Sequence, residues 1–282
     1  MAPPAQALDV DALLRWYDRV RRPLPWRATR DPYAILVSEV MLQQTQAARV
    51  VPYYERWLGR FPDAPALADA PPRDVLAAWS GLGYNRRALA LQEAARVVAR
   101  RGWPAPERLT DLPGVGPYTA AALASFAWDV PAAAVDTNAR RVIERRDGRR
   151  RTARELAQRA AELLPAERAA LFNQAMMELG ATVCRPRRPA CGACPVREGC
   201  ALQGRAGGGG DVAARRDEAR AGGSRRLRFE DTDRWARGRL LAALLHGEPP
   251  PALEAARHER ALAGLERDGL IVRGADGEPR LP

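Results

Sequence analysis

The chain contains no lysine: all 45 residues counted as Lys or Arg are arginine. Without a side-chain amine, mechanisms that pass through a lysine imine are excluded. Histidine is nearly absent too. His246 and His258 lie towards the C-terminal end, neither beside a plausible nucleophile, which argues against a Ser-His or Cys-His hydrolase. No apolar run approaches the roughly 18 residues needed to span a bilayer. The opening MAPPAQALDVDALLRWYDRV lacks a basic stretch followed by an apolar one. A soluble, unexported, cytoplasmic chain with no membrane partner is the expectation.

Of the 282 residues, 46% are hydrophobic and seven are tryptophan, enough for a substantial core and against disorder for most of the chain. The length suits one large domain or two ordinary ones. Net charge is +11, carried by guanidinium forks that match phosphate oxygens two at a time, so a polyanion is the first partner to consider. A GC-rich genome would explain arginine in place of lysine. It would not explain the sign of the charge. Residues 1–203 hold 30 arginines against 21 acids and the remainder 15 against 13, so polyanion binding should centre on the first part.

Apolar positions recur at helical spacing from residue 9 to about 203, with short polar or Pro/Gly breaks such as SGLGY in 73–100. The fold class expected is all-α. Residues 204–226, with four consecutive glycines, are expected to form a flexible linker. In 227–282, two helices (232–246 and 252–268) precede a hairpin with Asp276-Gly277 near its turn, a small winged-helix-like module. About 55 residues is near the lower limit for an independent core.

The four cysteines, Cys184, Cys191, Cys194 and Cys200, are spaced C-x6-C-x2-C-x5-C. In a chain with no export signal this favours a metal over disulfides. Tetrahedral zinc and an iron–sulfur cluster both accept four thiolates. The unequal loops suit a cluster. In LPGVGPYTAAALASFA (112–127), Gly114 and Gly116 bracket a tight turn open to positive φ, and Pro117 starts a helix whose first amides are free to hold phosphate. Asp136 in VDTNARRV caps a further helix, with Asn138 two positions on. Asp31 and Pro32 open the segment 31–58, in which Glu39 lies among Ile35, Leu36, Val37, Val40 and Leu42 and shares a helical face with Gln43. Taken alone, Asp136 reads equally as a cap and Glu39 as the wet side of a helix.

Together these motifs resemble the endonuclease III and adenine glycosylase superfamily of DNA repair enzymes over roughly residues 12–203. CRPRRPACGACPVREGC is similar to its iron–sulfur loop (184–200), with Arg185, Arg187, Arg188 and Arg197 between the ligands. The Gly114/Gly116 turn, with Leu112, Pro113, Thr119 and Ala121, resembles its helix-hairpin-helix (near 110–127). SEVMLQQTQ resembles the adenine glycosylase branch. The resemblance implies a helix-hairpin-helix DNA glycosylase domain over 1–203 and a four-iron four-sulfur cluster on the four cysteines. It implies a monomer in the nucleoid acting on double-stranded DNA with a mispaired adenine. By position, Glu39 is the general acid and Asp136 the ionised carboxylate under the sugar. Adenine leaves only when protonated, so the acid must keep its proton, which burial favours. The charge developing on the sugar needs a carboxylate that has lost its own, as in glycoside hydrolysis, and the amide donors at the cap should keep Asp136 ionised.

The base must also be rotated out of the stack, more cheaply when mispaired. Leu42, Gln43 and Gln44 would wedge into the duplex, with Tyr84 of GLGY beside them and Asn85 where the family often has a second aromatic. Arg27, Gln174, Tyr118 and Asn138 would line the base pocket. Tyr118 stands where the lyase branch has its lysine, implying a monofunctional enzyme that removes adenine opposite 8-oxoguanine or guanine. Family members commonly add a Nudix-like C-terminal domain, for which the tail here is too short. The rivals are a thymine or uracil mismatch glycosylase of the same fold and a non-catalytic iron–sulfur DNA-binding protein.

Overall fold

The computed structural model describes residues 8–202 and 228–282; the stretch read as a linker lies outside the described residues. The described chain is helical apart from one two-stranded hairpin. The helices are α1 (Val10–Val20), α2 (Pro32–Leu42), α3 (Ala47–Arg60), α4 (Ala64–Asp69), α5 (Pro72–Trp79), α6 (Arg86–Arg101), α7 (Pro117–Trp128), α8 (Thr137–Asp147), α9 (Ala153–Leu163), α10 (Ala169–Thr182), α11 (Asp233–His246) and α12 (Ala255–Arg267). Strands β1 (Val272–Arg273) and β2 (Pro279–Arg280) follow, antiparallel, with Val272 opposite Arg280. This is the all-α architecture, ending in helix, helix and hairpin, that the periodicity indicated.

Side chains start these helices as their residue types suggest. Asp31 accepts from the amides of Tyr33 and Ala34 at 3.2 and 3.1 Å, with Pro32 next in line. Thr152 and Glu155 form a reciprocal capping box at α9. Helices α2 and α7 are apolar nearly all round, the pattern of helices enclosed on every side. From Tyr33 to Met41 every residue of α2 is buried, Ser38 and Glu39 included.

Contacts divide the chain into two compact units, 1–35 with 116–224, and 36–115 with 225–282. In the first, α10 packs against α1, α7 and α8, around a core that includes Leu13, Tyr17, Ile143, Phe172, Met176 and Leu179. In the second, α4 and α5 pack on α6 and α11 packs on α5 and α12. Trp57 there meets Phe61 and Trp79 edge to face, at centroid separations of 5.0 and 5.4 Å.

The structure corrects two local expectations. Helix α2 ends at Leu42, so Gln43 lies in the turn before α3 and does not continue the face of Glu39. Gln44 follows in left-handed backbone, φ +61°. Periodicity missed this break because neither glycine nor proline marks it. In the 112–117 turn only Gly114 uses positive φ (+75°), where a Cβ would also come within 2.8 Å of the Ala90 Cβ. Gly116 is extended (φ −86°) and serves as the N-cap of α7.

Candidate active site

In the first unit the candidate site is organised by the two ends of α8. Asp136 caps its N-terminus, accepting from the Ala139 amide and from Asn138 Nδ2, both at 2.7 Å. Asn138 Oδ1 accepts from Arg141 Nη2 at 2.8 Å. Arg141 also donates to the carbonyls of Gly180 (2.6 Å) and Cys184 (2.7 Å), so a hydrogen-bonded chain runs from the carboxylate to the start of the cysteine loop. Gly180 permits the approach: a Cβ there would fall 2.6 Å from the Asn138 Cβ. The extended segment before Asp136 is fixed by buried Asn173. It accepts from the Ala134 amide and donates to the Ala132 carbonyl and Ser125 Oγ.

Burial raises the Asp136 pKa above the ordinary carboxylate value, against the donors at Ala139 and Asn138, which lower it. The capping donors offset part of this desolvation.

At the other end of α8, Arg145 and Arg146 are almost wholly buried. Arg145 donates to the carbonyls of Cys184, Arg185 and Pro186 and to Cys184 Sγ at 3.4 Å. Arg146 donates to the carbonyls of Val196 and Glu198. The cysteine loop is thereby wrapped on two cations. All four thiols are free and half-buried. Burial pushes Cys184 up and Cys194 up to about 11, with Cys184, Cys200 and Cys191 near enough to act on the Cys194 charge. Among the described residues no three His, Cys, Asp or Glu side chains converge closely enough to hold one metal ion. Four thiols gathered on one loop, with an arginine N–H on the Cys184 sulfur, are a donor set that an iron–sulfur cluster accepts, as does tetrahedral zinc. Arg185, Arg187, Arg188 and Arg197 are exposed on this loop.

Of the residues expected to line the base pocket, Arg27 and Gln174 share a network in this unit. Tyr17 donates to Gln174 Oε1 at 2.7 Å and lies under the Arg27 guanidinium. Arg27 and Arg22 both donate to Glu178, which is 0% exposed. Burial would raise the Glu178 pKa, but the two guanidiniums hold it below the usual range. Tyr118 is half-buried in the first turn of α7.

Glu39, Leu42, Gln43, Gln44, Tyr84 and Gly114 belong to the second unit. Glu39 is 4% exposed. Tyr84, φ +50° and 43% exposed, donates its hydroxyl to Gln44 Oε1 at 3.3 Å. Arg87 fixes both turns: it donates to the carbonyls of Val40 (2.7 Å), Gln43 (2.6 Å) and Gly83 (3.0 Å) and lies over the rings of Trp79 and Tyr84. Desolvation lowers its pKa to about 10. Residue types alone did not single out Arg87, Arg141, Arg145, Arg146, Asn173, Glu178 or Gly180. The one local signal was arginine recurring at 140, 141, 145 and 146 along a helix that ends at Asp147.

A family model described as HhH-GPD superfamily base excision DNA repair protein matches residues 37–166. An adenine DNA glycosylase of Mycolicibacterium smegmatis is 42% identical over 284 residues, 94% of this chain and 93% of that protein. One of Rattus norvegicus is 46% identical over 216 residues, 70% of this chain but 42% of that protein. Among solved structures, a thermostable thymine-DNA glycosylase superposes with a TM-score of 0.65 at 33% identity, covering 70% of this chain and 95% of that one. These matches define a base excision repair fold. The chain belongs to the adenine DNA glycosylase family of the HhH-GPD superfamily.

Because native Asp136 holds its proton more tightly than the unfolded chain does, its charge costs stability as pH rises from the ordinary value of 3.8 through the raised one. Asn caps a helix as well as Asp does. Asp136→Asn is therefore expected to match or exceed the parent in thermal midpoint at pH 7, measured by calorimetry. A lower midpoint would show that the carboxylate is needed for folding.

Proposed function

We propose that this protein is a monofunctional adenine DNA glycosylase: it rotates adenine mispaired with 8-oxoguanine or guanine out of double-stranded DNA and hydrolyses the bond between the base and C1′. The observation that carries this reading is Glu39, buried on an apolar helix immediately before the Gln43–Gln44 turn. A carboxyl in such surroundings retains its proton and can pass it to the adenine ring. Asp136, held by Ala139 and Asn138, supplies the negative charge that stabilises the oxocarbenium-like sugar. The C–N bond breaks towards the protonated base, and water adds at C1′ with loss of its proton. The product is free adenine and an abasic site. No lysine exists to trap that site as an imine and cut the strand.

Arg27, Gln174, Tyr118 and Asn138 are read as the walls of the base pocket, and Leu42, Gln43, Gln44 and Tyr84 as the wedge that fills the gap in the duplex. The extended Gly116 cap leaves the first-turn amides of α7 for a backbone phosphate. The 1–203 segment is taken as the glycosylase domain, 204–226 as linker and 227–282 as the terminal module, in a monomer. Cys184, Cys191, Cys194 and Cys200 are read as ligands of a four-iron four-sulfur cluster. That group would supply no bond-breaking chemistry, only a rigid anionic core for the loop. Arg145 and Arg146 fix the loop to α8, and the exposed arginines between the ligands are offered to DNA.

The likeness to a thymine-DNA glycosylase makes thymine or uracil removal the rival reading. Duplexes carrying adenine opposite 8-oxoguanine, guanine or cytosine, and thymine or uracil opposite guanine, are expected to yield alkali-labile sites at the adenine only. Cleavage at thymine or uracil would support the rival, and no labile site at all would leave a DNA-binding protein without catalysis. Protein purified without oxygen is expected to absorb broadly near about 400 nm and to lose that band with Cys194→Ser. A colourless, zinc-containing protein would contradict the cluster.

A further inference from the structure

The residues after 227 contribute directly to the surface that carries Gln44 and Tyr84. Arg234, in the first turn of α11, lies over Tyr84 with its guanidinium carbon 4.0 Å from the ring centroid, and Nη1 donates to the Tyr84 hydroxyl at 2.8 Å. Phe229, 58% exposed, stands 5.9 Å from the same guanidinium. This placement is held from behind: Arg257 donates to the carbonyls of Glu230 and Thr232, and Thr232 caps α11 by accepting from the Trp235 amide. The group opens onto a cleft of about 1100 Å³ lined by Gln43, Gln44, Tyr84, Phe229, Arg234 and Trp235 among others.

The arrangement is built to meet a flat, hydrogen-bonding ligand. Left-handed backbone at a glutamine and at a tyrosine is uncommon, and such outliers concentrate at functional positions. Here they hold Gln44 and Tyr84 exposed and bonded to each other. Arg87 is spent on the carbonyls of the two turns and Arg49 on that of Gly81. Arg234 is exposed, and among the described residues its hydrogen bonding is confined to Tyr84. With one hydrogen bond made, to Tyr84, the exposed guanidinium has further N–H groups to donate. A phosphate site would gather cations and backbone amides around one point. Two exposed aromatic rings, a side-chain amide and an oriented fork instead match the face and edge of a base.

We propose that Arg234 is a specificity-determining residue: its fork reads the O6 and N7 acceptors of the guanine left opposite the extruded adenine, so the terminal elements share in choosing the mispair. Guanine offers those two acceptors side by side, the pairing to which arginine is best matched. This inference rests on the reading above, in which Gln44 and Tyr84 enter the gap on that strand.

Single-turnover adenine release can be compared for duplexes with guanine or an abasic position opposite the adenine, using the full chain, Arg234→Ala and Arg234→Lys. The ratio of the two rates is expected to fall at least about tenfold in both variants, because lysine keeps the charge but not the fork. A ratio that stays at the parent value, whether both rates hold or fall together, overturns the proposal. So does a ratio that alanine lowers and lysine restores, which would mark a phosphate contact. A parent chain that releases no adenine from either duplex would instead sink the glycosylase reading.

Discussion

Two cations buried at the C-terminal end of α8 are the constraint around which the first unit is arranged. Arg145 and Arg146 cannot be left in the interior unsolvated, since an uncompensated buried charge costs several kcal/mol. Their partners are carbonyls of the cysteine loop. The loop must therefore fold onto α8, and α8 must be placed so that the loop can reach it. Arg141, one turn earlier, continues the contact to Asn138 and from there to the Asp136 carboxylate. A single helix thus ties the proposed metal loop to the proposed catalytic group through side chains alone, and α10 accommodates it at Gly180. Disturbing the loop should be felt at Asp136 even though no cysteine touches it in the hydrogen-bond network.

The second unit solves a different problem, that of holding exposed groups in place. Tyr84 and Gln44 are presented on left-handed backbone between two turns. Arg87, half-withdrawn from water and lying over two aromatic rings, binds the carbonyls of both turns. The exposed pair is thereby preorganised from beneath. From above, Arg234 covers one face of the tyrosine.

What was legible in the sequence was local. Asp31 before Pro32, Asp136 before TNARRV, the Gly114 turn and the terminal helix–helix–hairpin all follow from residue types at fixed short offsets. The four cysteines were legible as a set for the same reason. The break after Leu42 was not, because the carbonyls around it are taken up by Arg87, more than forty positions away, and it carries no glycine or proline. Glu178, paired with arginines about 150 residues distant, gave no sign that distinguished it from a surface acid. Gly180 read as an ordinary helix residue, although its lack of a Cβ decides how closely α8 approaches. The raised pKa of Asp136 was missed because burial, a property of the whole fold, outweighs the capping donors that the local pattern does reveal.

In the proposed reaction two carboxylates act on one glycosidic bond in opposite protonation states. The pH dependence of single-turnover adenine release tests it most directly. A bell is expected whose acid limb lies above the ordinary aspartate value of 3.8, because Asp136 must ionise, and whose alkaline limb reflects loss of the Glu39 proton. Glu39→Gln should abolish the alkaline limb while lowering the maximum by about 10²–10⁴-fold. A Glu39→Gln profile that keeps both limbs and the parent maximum would contradict it.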